Sequence, residues 1–595
     1  MEQTPKQVFK EYDDSCSYKS SLGDKGLYEQ TKKNERFYSG DQWYGANVGN
    51  DRPLVRHNLI KRIADYKISV IDSSPITVNF TAEGVPNTVD MQNSYDDMKD
   101  EIAQGIMPQQ ESTNDEINFV MNALTDYYKT ESERLGFDEI IHDALHNAYV
   151  SGTGVLYTYW DESVETGLYA DESRTTAIKG DICTQVIDIE NVEYGDPTEQ
   201  NIQNQPYIIL SMRKSCEELK REAKLNGISK EEIDSIKPDG NTSYMSGDRA
   251  KLEPTNSNKT TCLIKLYKEY NDDGSFNIMC LKCTENAFIK KPFDIGIKLY
   301  PIAEFKWHKR RNCAYGDSEV THLIPNQIAI NRMLTANVWA VMMMGMPIMM
   351  VNDDVINQPV TNNPGQIISF SGSRDDFNNA IQYIVPPTFS SNYLGNANDL
   401  ISSTLTQSGA NDAALGDIKA DNTSAILAVR EASTMPLTPF KNRFYKFVED
   451  NARIWAQFWV NKYGNRQLKI EDTRGVYYIP FIAEKFKDLI ISVRIDVGAS
   501  TLWSEITAIQ QLDGRLQNQI ITPTQYLERL PKGVIPNLSG LIKDLRAVEE
   551  NPSFTADDLL AGLSPEEQQA FNELSPEQQE QILGGISNDA NAGIQ

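Results

Sequence analysis

Residues 333–351 read MLTANVWAVMMMGMPIMMV, a charge-free run with Arg332 before it and Asp353 just beyond. Seven of the chain's 16 methionines fall in it. Three readings compete: a membrane span, a buried core helix, or a surface that a partner repacks. A span needs about 20 apolar residues of helix to cross a hydrocarbon core about 30 Å thick. Gly345 and Pro347 interrupt this run, and the stretch from 333 to 344 makes a helix of only roughly 18 Å at about 1.5 Å per residue. Thr335 and Asn337 weaken it further, and the helical pattern continues backward through the polar QIAINR. The pattern therefore predicts one helix over 317–346, bent at Pro325, with PIMMV opening an extended segment. Flexible methionines suit a contact that repacks when neighbouring helices shift.

Around this segment lies a chain of 595 residues, long enough for several domains. It has 57 Lys plus Arg against 84 Asp plus Glu, a net charge of −27. Proteins that grip phosphates electrostatically are normally basic. This one should repel nucleic acid on average, apart from local basic patches. The opening MEQTPKQVFKEYDDSC lacks the basic flank and apolar stretch of an export signal. The seven irregularly spaced cysteines are accordingly expected to be reduced thiols in a cytoplasmic setting.

The periodicity predicts a mixed α+β chain. NLIKRIADYKISVI (58–71) reads as a buried helix ending near SSP, with ITVNF a strand after it. Residues 84–116 are poor in large apolar groups and read as a long loop or insertion. A long amphipathic helix is expected from 117 into HDALHNAYVSGTG, with a strand from LYTYW (156–160). Residues 180–313 alternate as β, with NDDG (271–274) closing a hairpin and SCEELKREAKLNG a short helical insert. A strand is expected at 366–370 and a helix at 396–407. The longest helical candidate is 424–464, with a kink at Pro436 and Pro439. LSPEEQQ (563–569) and LSPEQQE (574–580) each open with a capping box on a solvated tail.

Candidate chemistry is sparse. No phosphate loop or G-x-S-x-G element exists, and GTG (152–154) is too short to signal dinucleotide binding. His142 and His146 share a helix face at metal-hydrolase spacing, but Asp143 stands where a Glu is needed and no third ligand follows. Cys280 and Cys283 have metal-ligand spacing, with Cys262, His308 or Cys313 able to complete a tetrahedron, yet i and i+3 on a strand point to opposite faces. EYNDDG (269–274) imitates a calcium loop but has Cys280 at the twelfth position, so a hairpin turn explains it better. WHKRR (307–311) is the densest basic run. Lys309, Arg310 and Arg311 are either local salt-bridge partners or a contact for nucleic acid or an acidic surface. No catalytic constellation emerges, and a structural or assembly component is the expectation, with no cofactor.

Several stretches in order resemble the portal proteins of tailed bacteriophages. They are NERFYSGDQW with RHNLIKRIADYKIS, HNAYVSGTGVLYTYWDE, GDICTQVIDIENVEYGDP, YPIAEFKWHKRRNCAYGDSEVTHLIPNQIAINRM and NTSAILAVREA, spread over 30–460. The resemblance implies a multi-part subunit. It would have an N-terminal arm (1–25), a β-rich wing (26–316, with 84–116 an insertion, and 424–500 carrying the long kinked helix) and a first stem helix (317–351). A small α/β clip (352–390), a second stem helix (391–410), a tunnel loop (411–423), a helical crown (501–551) and a flexible acidic tail (552–595) would complete it. It further implies a homo-oligomeric ring, a dodecamer in most of the family, at one capsid vertex of the virion, assembled in the host cytoplasm. Its partners would be the terminase large subunit, the major capsid protein with scaffold, and a head-completion or adaptor protein. Double-stranded DNA would pass through without tight binding.

On that mapping Gln327, Asn331, Trp339, Met342, Met343 and Met344 would lie at contacts between subunits, and Asp417, Lys419, Asp421 and Asn422 would face the channel. A membrane-anchored assembly protein, using 333–351, and a zinc-dependent nucleic-acid-processing enzyme, using HDALH or the CLKC cluster, are the alternatives.

Overall fold

The computed structural model describes residues 3–46, 54–73, 76–83, 113–169, 177–239, 258–345, 348–356, 358–361, 367–375, 380–384, 392–410, 435–472, 475–487, 489, 491–496, 502–518, 520–528, 530 and 541. The chain divides into two compact units, Met1–Ser500 and Thr501–Gln595.

The first unit opens with α1 (Pro5–Ser21), α2 (Leu27–Ser39) and α3 (Leu59–Asp72), then β1 (Thr77–Ala82), α4 (Thr113–Leu135) and α5 (Phe137–Ser151). A β-rich stretch follows: β2 (Thr153–Tyr169), β3 (Ala177–Asp188), β4 (Val192–Tyr194) and β5 (Tyr207–Ser215). After the short helices α6 (Cys216–Leu225) and α7 (Lys230–Asp234) it resumes as β6 (Lys259–Tyr270), β7 (Phe276–Cys283), β8 (Phe288–Asp294) and β9 (Ile302–Lys306). Next come α8 (Glu319–Gly345), β10 (Ile348–Val351), β11 (Ile381–Ile384) and α9 (Asn392–Ser408). The unit ends with α10 (Thr438–Lys462), β12 (Asn465–Asp472), β13 (Gly475–Ile482) and β14 (Ile491–Asp496).

Among the described residues all the strand pairs are antiparallel. β4-β5-β6-β7-β8 form one sheet and β3-β2-β9 another, while β1 pairs β14, β10 pairs β11, and β12 pairs β13. The mixed α+β class is borne out. The core gathers round α10, whose Phe444, Phe447, Trp455, Phe458 and Trp459 are all at most 1% exposed. They lie among Phe305 of β9, Phe80 of β1 and Tyr127 and Tyr128 of α4. The NDDG hairpin forms as read, with Gly274 at φ 82 joining β6 to β7.

Local expectations need correction in several places. Residues 5–21 form a helix, with Thr4 accepting from the Gln7 N–H and Pro5 in the first turn. The long helix expected from 117 begins earlier, at Thr113, and is two helices, broken where Gly136 turns left-handed at φ 61. The strand expected at 366–370 reduces to one isolated bridge, Ile356 to Phe370. The helix at 396–407 starts four residues sooner, at Asn392. Pro436 sits in a 3-10 turn (Met435–Leu437) and Pro439 in the first turn of α10, where a proline costs no hydrogen bond. In the described residues these prolines start the helix rather than kink it, and 424–434 lie outside them.

Glycine has a structural task at the α5–β2 junction. A Cβ on Gly154 would stand 2.1 Å from the Ala144 carbonyl oxygen, and one on Gly316 2.2 Å from that of Gly152. The GTG motif is thus where two backbones touch.

In the second unit, α11 (Leu502–Gln517) and α12 (Pro523–Glu528) are joined by a hydrogen bond of 2.6 Å from the Tyr526 hydroxyl to Asp513. The SPEEQQ and SPEQQE repeats lie outside the described residues.

Candidate assembly surface

The helix that carries the opening stretch, α8, is built in two halves. Its first half is embedded: Val320, Leu323, Ile324 and Ile330 enter the main core. Its root is held by Glu319, which accepts from Lys67 Nζ (2.9 Å) and Trp307 Nε1 (3.0 Å) and contacts His308 Nε2 at 2.8 Å. Burial alone would raise the Glu319 carboxyl, but the His308 bond, the Lys67 ammonium and the Trp307 N–H outweigh it and bring it down to about 2.

A polar stripe then runs along α8 at i, i+4, i+8. Gln327 Oε1 accepts from the Leu59 N–H, Asn331 Oδ1 from the His57 N–H, and Thr335 Oγ1 from the Val55 N–H, all at 3.0–3.1 Å. Gln327 also donates to the His57 carbonyl, and Asn331 to Gln42 Oε1. The geometry is a match of rises. Four helical residues advance about 6 Å, and two extended residues about 6.7 Å. Alternate N–H groups of an extended segment therefore meet successive turns of α8. Asn331 is 0% and Gln327 2% exposed. Gln327 and Asn331, expected at contacts between subunits, have their side chains bonded inside the chain.

Beyond Thr335 the burial ends. Val338 is 39%, Met342 47% and Val341 63% exposed, and Trp339 is half-buried. The side chains of Met343 and Met344 lie outside the described residues. The chain continues into the β10–β11 hairpin and returns along α9, which packs on α8 where Asn326 donates to Thr404 Oγ1 at 3.3 Å. A helix pair thus has an embedded base and an apolar distal half, with a small β unit at its end. Among the described residues no helix is long and apolar enough to cross a membrane.

The basic run divides similarly. Trp307 is fully buried, and Arg310 donates to Asp317 at 2.8 Å. Lys309 and Arg311 are exposed. Lys309 lines a groove between β9 and α10 together with Lys306, Arg443, Lys446 and Arg453. Asp417, Lys419, Asp421 and Asn422 lie outside the described residues.

The metal candidates are drawn apart. His142 contacts Asp72 at 3.2 Å, while His146 stands edge-on to Tyr38 at 4.8 Å. Cys262, Cys280 and Cys283 are buried in three different apolar clusters, and burial pushes the Cys262 and Cys280 thiols up to about 12. Among the described residues no group of three or more His, Cys, Asp or Glu is placed to hold a metal ion.

The architecture is a mixed α+β unit that carries the anchored α8–α9 helix pair. Residues 244–502 match the family of phage P22-like portal proteins. The resemblance to phage portal proteins noted in the sequence is borne out over that stretch, which holds β6–β9, both helices of the pair, the β10–β11 hairpin and α10. The match supports a phage portal protein, and with it a place in the capsid and in DNA packaging. The motifs quoted before residue 244 fall outside it. No curated protein matches the chain.

Proposed function

We propose that the chain is the subunit of a portal ring at one capsid vertex, acting as a structural conduit without chemistry of its own. The carrying observation is the match over 244–502, because it spans the α8–α9 excursion, on whose distal half Val338, Val341 and Met342 are exposed. In this reading α8 and α9 are the stem helices, the β10–β11 unit belongs to the clip, and β1–β9 with α10 and β12–β14 make up the wing. Residues 501–551 are the crown. The exposed end of α8 packs against the next subunit, with Trp339 and the methionines at that contact.

The ring forms the channel for DNA entering and leaving the head. Net negative charge suits a wall that DNA must slide past. The motor ATPase is a separate terminase large subunit that docks at the clip during packaging. A head-completion or adaptor protein replaces it later, and the wing meets the capsid protein and scaffold. Assembly takes place in the host cytoplasm. Lys419 is the positive contact in the tunnel loop.

Negative-stain images of purified protein test the class. Rings with a central hole are expected, and a monomer or dimer under all assembly conditions would overturn the reading. For the loop, Lys419→Ala is expected to reduce packaging or retention of DNA, and unchanged values for both would remove that role.

A further inference from the structure

Where α4, β3 and the end of α10 meet, four side-chain oxygens form an unbroken line. Glu131 Oε1 lies 2.8 Å from the Tyr127 hydroxyl, which lies 2.9 Å from that of Tyr463, which in turn lies 2.6 Å from Asp181 Oδ1. Glu131 and Asp181 are each 3% exposed, Tyr463 4% and Tyr127 6%. Three contacts at hydrogen-bond distance need three protons. Two phenols supply two, and ionised carboxylates supply none. If both phenols donate outward to the carboxylates, the Tyr127–Tyr463 contact is left with two lone pairs facing each other in a buried site.

We propose that Glu131 and Asp181 form a proton-binding site, the pair sharing one proton that completes the line through the two tyrosines. With the proton on either acid, all three contacts close in one direction. The acid donates to its tyrosine, that tyrosine to the other, and the last to the remaining carboxylate.

The surrounding charges allow this. From α4, Arg134 donates to Glu131 Oε2 at 2.7 and 2.9 Å and lies 3.7 Å from Asp181 Oδ2. From β12, Arg466 stacks on the Tyr463 ring at 3.8 Å and donates to the Gly180 carbonyl. From β3 the Ile182 N–H donates to Asp181, and Cys183 lies nearby with Asp161 of β2 beside it. Burial first, and the Asp181 charge second, raise the Glu131 carboxyl above its ordinary range, against the pull of Arg134.

The folded chain then holds one proton more than the unfolded chain at pH values above the ordinary carboxylate range. The site's contribution to stability is therefore fully present below that range and is lost as pH rises and the shared proton leaves, by up to tenfold in the unfolding equilibrium per pH unit. The site ties α4 to the end of α10, so the loss falls on that junction.

The test compares the full-length protein with Glu131→Gln and Asp181→Asn, whose amides supply the missing donor permanently. Thermal melts across pH should show a downward slope in the wild type that is flattened in either variant. Equal slopes in all three would overturn the proposal. Infrared spectra of the native protein at about pH 6, where free carboxyls are ionised, need no melt. The carbonyl stretch of a protonated acid should appear in the wild-type-minus-variant difference. The difference is required because burial also pushes Glu190 up to about 8. A null difference spectrum from folded variants would sink the shared proton. If both variants fail to fold, the wild-type spectrum decides: no protonated-acid band beyond those of Asp188, Glu190 and Glu193, which burial also raises, overturns the site.

Discussion

At the scale of single residues, buried groups with identifiable partners give the sharpest expectations. Glu319 is held down to about 2 from an ordinary 4.5. It therefore contributes stability above the ordinary carboxylate range, which is lost as pH falls toward 2. The difference corresponds to about 3 kcal/mol. Glu319→Gln should lower the melting temperature at neutral pH, and its deficit against the wild type should close in acid. Gly154→Ala forces a Cβ onto the Ala144 carbonyl and should cost about 1–3 kcal/mol, read by denaturant unfolding. The need for Gly154 was hidden in the sequence. GTG reads as a weak phosphate motif or a strand entry, and only the approach of α5 shows why no side chain fits.

At the scale of elements, α1 is pinned to the fold by one buried lysine. Lys19 Nζ donates to the Ile189 and Glu190 carbonyls and to Glu193 Oε1, with both ionic side chains fully buried. Lys19→Met strands the Glu193 charge and should cost about 3–5 kcal/mol. Lys19→Met with Glu193→Leu should recover most of it, a non-additivity that a double-mutant cycle measures. Limited proteolysis should open α1 in the single variant first. The polar stripe of α8 makes a parallel case. Asn331→Leu leaves the His57 N–H without its acceptor and should lose about 1–3 kcal/mol while ring formation persists. If Asn331 served a neighbouring subunit instead, assembly would fail before stability did.

At the scale of the whole molecule, the charge of −27 sets copies of the chain against one another. Ring yield should therefore rise with salt from about 10 to about 150 mM, as the screening length shortens from about 30 to about 8 Å. Sedimentation across that series reads it, and a flat profile would mean that charge does not govern assembly. Val341→Asp should abolish rings while leaving the subunit's melting temperature within about a degree or two, because the exposed site makes no core contact and surface changes typically cost within about 0.5 kcal/mol.

Much of this protein was legible from local chemistry. The α8 helix, the NDDG hairpin and the α3–β1 succession follow from periodicity and turn residues, which act over a few neighbouring positions. The interruption at Gly345 and Pro347 likewise counted against a span before any fold was known. The tertiary structure alone decided which polar groups turn inward. Gln327 meets Leu59 across 268 positions, and Tyr463 meets Asp181 across 282. A hydrogen bond is specified by the position of both partners, and periodicity describes only one. The same helix that the sequence marks as charge-free over 333–344 is therefore anchored by its polar stripe as far as Thr335, and Val338, Val341 and Met342 beyond it are exposed.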